Sequence, residues 1–312
     1  MLAIIIAAAA VRSHLAPLAA ESFADIPTLF GSMLSRWQNM HPTAALCVSG
    51  AVWFAAGWII GLVVRVRELY FVRTTITIPV YGIAACGIIW AGDTLAASVA
   101  SLLFAAAIRS YISSFRDGYG FSQIFFGSLC MGLLPLLYAP AVTLLALVPL
   151  AVIIFKRSMR EAIVAVAGLI FAPLAVSYIF WAAGGDFTAP VMQSVEALTA
   201  VSGYRFFGTA TAGAAVLACM LLAMVLGSAL ISSANIYSMN SRARYITFFN
   251  LCAFAVALTT LALPSSTATA LGLIAVPTAI VVPVMLVQIR AQAASMIYGV
   301  LVLLFVAHLF IG

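Results

Sequence analysis

Long apolar runs separated by short polar connections make up almost the whole chain. A helix needs about 20 apolar residues to cross a bilayer, so this pattern predicts about ten or eleven membrane spans. The predicted fold class is therefore all-α: a polytopic transmembrane helical bundle that forms a single integral membrane domain over residues 1–312. The predicted spans run from Pro42 to Val64, Thr74 to Ala91, Thr94 to Ile108, Phe121 to Tyr138, Ala141 to Phe155, Glu161 to Ala183, Phe206 to Ser232, Tyr245 to Leu263, Thr267 to Val287 and Ala294 to Gly312.

The first apolar segment, "LAIIIAAAAV", is too short to span alone, because only about ten residues precede Arg12. A secretory signal is the alternative, but the segment has no basic region at its start, and Arg12 lies in the wrong place. The pattern favours a shortened or start-shifted first span that enters from the cytoplasm.

Composition agrees with a membrane protein, since 65% of the residues are hydrophobic and 7% are charged, against about 25% charged in soluble domains. The net charge of +6 is explained by the placement of arginines, so no nucleic-acid partner is predicted. The five cysteines have no paired spacing, which favours neither a disulfide framework nor a metal site.

Basic residues follow every second predicted span. Eleven of the fourteen lie in these alternate connections, which the positive-inside rule places in the cytoplasm. The chain is accordingly predicted to pass the membrane several times, with the arginine-rich loops cytoplasmic. The eleven are Arg65, Arg67, Arg73, Arg109, Arg116, Lys156, Arg157, Arg160, Arg242, Arg244 and Arg290.

The connections on the other side include the tight turns "WAGD", "LLYAPAV" and "LALPSST", each with a helix-breaking Gly or Pro. Asp93 ends the first of these turns. Its carboxylate is interpreted as a cap for the helix that begins at Thr94, or as part of a functional site if other outer acids gather around it. We predict that Asp93 lies within about 10 Å of at least one of Glu21, Asp25 or Asp186 if the acids share a ligand.

Two longer outer segments, Val11 to His41 and Gly184 to Arg205, can build a pocket. The first holds Glu21, Asp25 and Arg36, and the second, treated as an outer loop, holds Asp186, Glu196 and Arg205. Within the first, "FADIPTLFGSMLSRW" (residues 23–37) places apolar residues at helical spacing. This spacing predicts an amphipathic helix that lies along the outer face of the membrane. A surface loop is the alternative.

Polar chemistry inside the predicted spans is sparse, because no Asp, Glu, Lys or Arg lies near the middle of one. Gln123, Ser128 and Asn250 are interpreted as interhelical hydrogen-bond partners, and Gly57 with Gly61 as a close-packing pair. The sequence contains no P-loop, HExxH or GxSxG motif.

Three segments, "VRVRELYFVRTTITIPVYG", "FFGSLCMGLLPLLYAPAVTLLALVPLAVIIFKRSMREAIVAVAGLIFAP" and "LPSSTATALGLIAVPTAIVVPVML", resemble an uncharacterised bacterial polytopic inner-membrane family, catalogued as a domain of unknown function. This resemblance implies a topology and assigns no activity.

A second pair, "GDTLAASVASLLFAAAIRSY" and "GSLCMGLLPLLYAPAVTLLALVPLAVIIFKR", is similar to the membrane module of polyprenyl-phosphate-dependent (GT-C type) glycosyltransferases. That resemblance implies that acids of the first two outer loops, here Glu21 with Asp25, and Asp93, serve an acceptor and a metal or phosphate site. The chain departs from that pattern in its short length and in having neither a paired acidic motif nor a C-terminal soluble domain.

Together these features favour a protein of the inner membrane that handles a lipid-linked or amphipathic substrate at its outer face. Membrane lipid and a polyprenyl-phosphate-linked substrate are the expected partners. Two alternatives stay open, a transporter or flippase and a non-catalytic subunit of an envelope complex, and enzyme activity is undecided. The sequence identifies no cofactor and no metal. Asp93, Glu21 and Asp25 are the candidate catalytic residues, and Arg36, Arg205 and Asp186 are the candidate substrate-binding residues, with the arginines neutralising a phosphate.

Overall fold

The computed structural model describes residues 2–7, 28–66, 75–88, 94–115, 118–202, 212–234 and 240–311. Every regular element in these ranges is helical, which confirms the all-α prediction. The helices are α1 (Leu29–Met40), α2 (Pro42–Val66), α3 (Thr77–Ile88), α4 (Thr94–Ser114), α5 (Phe121–Leu137), a 3₁₀ helix (Ala139–Ala146), α6 (Leu147–Ile154), α7 (Met159–Ala182), α8 (Ala189–Thr199), α9 (Ala212–Ala234), α10 (Ser241–Thr259), a 3₁₀ turn (Thr260–Ala262), α11 (Thr269–Gln288) and α12 (Ala291–Ile311).

Seven helices of the described part are long and apolar enough to cross a membrane: α2, α4, α7, α9, α10, α11 and α12. The chain is therefore a multi-pass membrane protein, as the apolar runs predict. Their exposed faces are apolar, with Ile163 and Ile179 on α7 and Leu303 on α12 among the most exposed side chains. Lipid tails are as apolar as these side chains, so such faces are stable only inside a bilayer.

Helix α11 is the centre of the bundle, because 89% of its most apolar 18-residue stretch is buried inside the protein. It packs against α2, α3, α4, α9, α10 and α12. A helix that is apolar all round must be enclosed by other helices, and α11 satisfies that requirement. Pro277 and Pro283 lie inside it, and their missing N–H groups leave the helix hydrogen-bonding pattern incomplete at two turns.

The segment after α5 differs from the single regular span that the sequence predicts between Ala141 and Phe155. Tyr138 has an extended backbone, and Pro140 follows it, so the chain restarts as a 3₁₀ helix. A 3₁₀ helix rises about 2.0 Å per residue, against 1.5 Å for an α-helix. The eight residues of the 3₁₀ helix and the eight of α6 therefore extend over about 28 Å, close to the thickness of the hydrocarbon layer.

Small residues let the helices approach closely. A Cβ atom on Gly57 would lie 2.8 Å from Leu2, and one on Gly61 would lie 2.8 Å from Ile78, which confirms this pair as a close-packing site. The contact between α5 and α7 is tighter. A Cβ on Gly132 would lie 2.6 Å from the carbonyl oxygen of Leu169.

Residues 2–7 are helical and lie against α2 and α3. Leu2 contacts Gly57 and Gly82, whereas Ile6 contacts Gly50, which is closer to the start of α2. This short segment therefore runs toward the end of the bundle where α2 begins. Residues 8–27 lie outside the described ranges, and with them the question of a full first span.

A buried carboxylate joins two connections at the opposite end, which we call the arginine end (Lys156, Arg157, Arg160, Arg242 and Arg290). Glu161 accepts hydrogen bonds from the Gly120 N–H at 2.7 Å and the Ser158 N–H at 2.9 Å, and it pairs with Arg157 at 3.3 Å. Ser158 and Glu161 form a capping box that begins α7 at Met159, two residues before the predicted start. The Arg157 guanidinium also donates to the Gly118 carbonyl at 3.2 Å, so this cluster holds both connections.

Helix α6 ends in a Schellman motif. The Lys156 N–H donates to the Ile153 carbonyl at 3.1 Å, and the Arg157 N–H donates to the Val152 carbonyl at 2.9 Å. Lys156 has a φ of 51°, a conformation that glycine adopts more readily. Its ammonium lies 5.3 Å from the ring centre of Tyr245, a cation–π contact that joins α6 to α10.

Candidate functional site

The structure describes two of the six predicted site residues. Arg36 on α1 and Asp186 before α8 are both exposed. The remaining four, Glu21, Asp25, Asp93 and Arg205, lie outside the described residues, so the convergence of the outer acids stays a prediction. Within the described ranges, no group of three His, Cys, Asp or Glu residues is placed to hold a metal ion.

The start of α4, where Asp93 was predicted to act as a cap, is contacted by α1. The side-chain oxygen of Gln38 accepts a hydrogen bond from the Leu95 N–H at 3.1 Å and lies 3.5 Å from the Thr94 hydroxyl. One N–H of the first turn of α4 is therefore satisfied by α1. The contribution of Asp93 itself lies outside the described residues.

The predicted helix of residues 23–37 is confirmed for its described part, residues 28–37, and α1 continues to Met40. It begins at Leu29 because the Thr28 side chain accepts from the Gly31 N–H at 3.2 Å and acts as the N-cap. The same hydroxyl donates to the Leu137 carbonyl at 2.8 Å, which fixes α1 to the end of α5. The buried face of α1 carries Gly31 and Ser35, and Phe30 and Leu34 pack against the core, whereas Met33, Trp37 and Met40 are exposed. Among these, Met33 is 58% exposed.

Helix α8 lies in the segment from Gly184 to Arg205, which was predicted to be an outer loop. Pro190 stands in its first turn, a position that favours helix initiation. Like α1, it buries small residues, Ser194 and Ala197, and exposes apolar ones, with Met192 53% exposed. Helices α1 and α8 contact each other. Both are too short to cross a membrane, since eleven or twelve residues extend over about 18 Å at most.

Between the 3₁₀ turn and α11 lies a segment that we call the hydroxyl turn (Ser265, Ser266 and Thr267). Tyr138, which is fully buried, accepts a hydrogen bond from the Thr267 N–H through its phenol oxygen at 3.0 Å. Ser202, three residues after the end of α8, donates its N–H to the Pro264 carbonyl at 2.9 Å and its hydroxyl to the Ser266 carbonyl. The hydroxyl turn is thus connected directly to α8 and, through Tyr138 and its neighbour Leu137, to α1.

The hydroxyl groups of this turn are buried but make no hydrogen bond of good geometry within the described part of the chain. Ser265 is 8% exposed, Ser266 3% and Thr267 9%. The hydroxyls of Ser266 and Thr267 lie beside the Tyr138 phenol oxygen. Serine and threonine in front of a helix usually cap it, yet the N-cap of α11 is Ala268, and no side chain caps there. Each buried hydroxyl without a partner costs about 1–3 kcal/mol, so the turn is suited to a ligand that accepts hydrogen bonds.

Polar groups inside the bundle follow the sequence prediction in part. Ser128 lies 3.0 Å from the Tyr111 hydroxyl, which confirms it as an interhelical partner between α4 and α5. Asn250 differs, because its amide donates to the Ile246 carbonyl of its own helix at 2.8 Å. Gln123 also differs, because it accepts from its exposed neighbour Ser122. Sequence position alone does not show which way a polar side chain turns on a buried helix.

The hydroxyls of "LPSST" were not among the functional groups predicted from the sequence. The available signal was a Ser-Ser-Thr run directly before a long apolar helix, which normally indicates a helix cap. Their burial and the missing cap contact become visible only when Tyr138, 129 residues away in sequence, is placed against them.

Comparison of the chain with protein-family models, with curated proteins and with solved structures finds no match. The resemblances to an uncharacterised membrane family and to GT-C type glycosyltransferases therefore stay predictions.

Proposed function

We propose that the protein binds a lipid-linked or amphipathic substrate at the end of the bundle formed by α1, α8 and the hydroxyl turn, which we call the hydroxyl end. The main support is that two short helices beside a buried hydroxyl cluster expose apolar side chains. Met33 of α1 and Met192 of α8 are both more than half exposed.

This combination matches the chemistry of an amphipathic ligand. Short helices that expose apolar side chains lie in the membrane interface, where acyl or prenyl chains are available for contact. Methionine is flexible and polarisable, so it packs well against chains of varied shape. The hydroxyl turn lies where the polar headgroup of such a ligand would be held, because its connections to both helices place it next to them.

The charged residues of the sequence prediction have defined roles in this proposal. Glu21, Asp25, Asp93 and Asp186 would bind a metal ion or act as a base on an acceptor hydroxyl. Arg36 and Arg205 would neutralise a phosphate, because a guanidinium offers a bidentate fork to its oxygens. The sequence further supports the role of Arg205, because Arg205 follows by three residues Ser202, which contacts the hydroxyl turn.

The orientation follows from the positive-inside rule. Arg157, Arg160 and Arg242 lie at the end of the bundle away from the hydroxyl turn, and that end is proposed to face the cytoplasm of a bacterium. The hydroxyl end then faces the outer leaflet of the inner membrane.

Transport is the second candidate function, favoured by two polar oxygens inside the bundle. Thr247 and Asn250 lie one turn apart on the buried face of α10, and their side-chain oxygens have no hydrogen-bond partner among the described residues. Neutral oxygens of this kind could contact a polar group on its way through the bundle. Transport predicts that Asn250→Val slows movement of a lipid between the leaflets of proteoliposomes while its binding is unchanged.

The direct test of substrate binding uses a fluorescent dodecyl phosphate and the purified protein in detergent. We expect Met33→Ala and Met192→Ala to weaken binding by about threefold to tenfold each, because each removes apolar contact worth up to about 1.4 kcal/mol. Met296→Ala on α12 is the matched control, since Met296 is 72% exposed but lies on a helix away from the hydroxyl end. Equal weakening by all three variants, or no binding at all, would reject the proposal and favour the envelope-subunit alternative.

A further inference from the structure

We infer that the hydroxyl turn is a phosphate-binding site, in which the hydroxyls of Ser265, Ser266 and Thr267 and the N-terminus of α11 hold the phosphate oxyanion of the substrate. This inference rests on the proposed function for the lipid part of the ligand. It adds the chemical group that is recognised and the residues that recognise it.

The first support is the position of the turn at the start of α11, a regular helix of 20 residues. The aligned peptide dipoles give the N-terminus of such a helix a partial positive charge, equivalent to about half an elementary charge. Backbone N–H groups at such a helix end bind anions in many proteins. In α11 the N–H groups of Ala270 and Leu271 already donate to the carbonyls of Thr267 and Ala268, so those of Ala268 and Thr269 are the ones offered to a ligand. Ala268 at the N-cap has no side-chain oxygen to compete with a ligand for these groups.

The second support is independent of the helix and comes from the hydroxyl groups. Ser265 and Ser266 are each more than nine-tenths buried, and within the described chain their hydroxyl oxygens have no hydrogen bond of good geometry. Each hydroxyl has one proton to donate, and the buried phenol of Tyr138, which already accepts from the Thr267 N–H, has another. A phosphate group accepts several such bonds at once, and bonds to a charged acceptor are stronger than neutral ones.

The hydroxyl turn lies at the boundary between exposed and buried residues. Ala262 and Pro264, directly before the turn, are exposed, whereas Ser265 is buried. The step from exposed to buried residues therefore occurs at the turn itself. A phosphate held there would remain close to α1 and α8, because Tyr138 and Ser202 connect the turn to both helices.

The test compares three probes: dodecyl phosphate, dodecan-1-ol and inorganic phosphate. We expect the protein to bind dodecyl phosphate at least tenfold more tightly than the alcohol. The double variant S265A/S266A should reduce this preference by about tenfold and leave the affinity for the alcohol unchanged. Ser233→Ala is the matched control, since its exposed hydroxyl only contacts the Leu230 carbonyl of α9.

Thermal unfolding provides a second readout that a purely structural role would not give. Because the hydroxyls of Ser265 and Ser266 make no hydrogen bond of good geometry, S265A/S266A should unfold at the same temperature as the unmodified protein, or at a higher one, when no ligand is added. It should also lose the upward shift that dodecyl phosphate gives the unmodified protein. A lower unfolding temperature without ligand, together with an unchanged ligand-induced shift, would overturn the inference.

The probes separate this inference from the proposed function. Equal affinities for dodecyl phosphate and the alcohol, unaffected by S265A/S266A, would overturn the phosphate site and leave lipid binding intact. Binding of inorganic phosphate that S265A/S266A abolishes, without binding of either dodecyl probe, would support the phosphate site and reject the lipid substrate. Binding of none of the three would reject both.

Discussion

Replacing Glu161 by glutamine is expected to destabilise the protein by about 1.5–3 kcal/mol, because it removes a buried carboxylate that accepts several hydrogen bonds and pairs with the partly buried Arg157 guanidinium. The Glu161 side chain is 3% exposed and accepts hydrogen bonds from Gly120, Ser158 and Arg157. A glutamine side chain keeps the volume, but its NH₂ group faces donors where the carboxylate had an oxygen. The free energy of unfolding, measured in detergent, would report the loss.

The control for this prediction is Glu196→Gln on α8. Glu196 is exposed, so its replacement should change the free energy of unfolding by less than about 0.5 kcal/mol. If the two variants lose the same stability, the buried cluster at the arginine end does not hold the two connections as described.

The second large effect is expected at the contact between α5 and α7. Gly132→Ala should destabilise the protein by about 2–3 kcal/mol, since the added Cβ would lie 2.6 Å from the Leu169 carbonyl oxygen and 2.8 Å from the Ala172 Cβ. Backbone and Cβ atoms cannot rotate away as a long side chain can, so the helices must separate.

The same substitution at Gly299 on α12 provides a matched control. A Cβ there meets no atom within 4 Å, so Gly299→Ala should stabilise the helix by up to about 1 kcal/mol. Opposite signs for the two variants are the expected outcome of unfolding measurements. A stable Gly132→Ala variant would contradict the close approach of α5 and α7.

Much of the fold could be predicted because the membrane allows few solutions. A run of about 20 apolar residues must form a helix, since backbone groups in a bilayer have only each other as partners. This argument places α2, α4, α7, α9, α10, α11 and α12 to within six residues of their observed bounds. It is less exact at Pro140, where a proline in an apolar run changes the helix type, and at Met159, where the capping box extends α7 toward its N-terminus.

The candidate site was harder to predict from the sequence, because it depends on contacts between residues that are distant along the chain. Nothing in the local pattern shows that Thr28 reaches Leu137, or that Gln38 caps α4 in trans. Helix α8 was predicted as a loop because its eleven residues are far below the length of a membrane span. The sequence prediction rested on charged residues, whereas the candidate groups that the structure adds at the hydroxyl end are the neutral hydroxyls of the hydroxyl turn.

Photocrosslinking shows most directly whether a lipid-linked or amphipathic ligand binds at the hydroxyl end. A dodecyl phosphate carrying a diazirine in its alkyl chain would be irradiated with the protein, with and without an excess of unlabelled dodecyl phosphate, and the labelled peptides identified by mass spectrometry. We expect competed labelling on α1 (Leu29–Met40) and α8 (Ala189–Thr199), while labelling of α7 and α12 is unaffected by the competitor. Competed labelling on α7 or α12 with none on α1 and α8 would contradict this expectation.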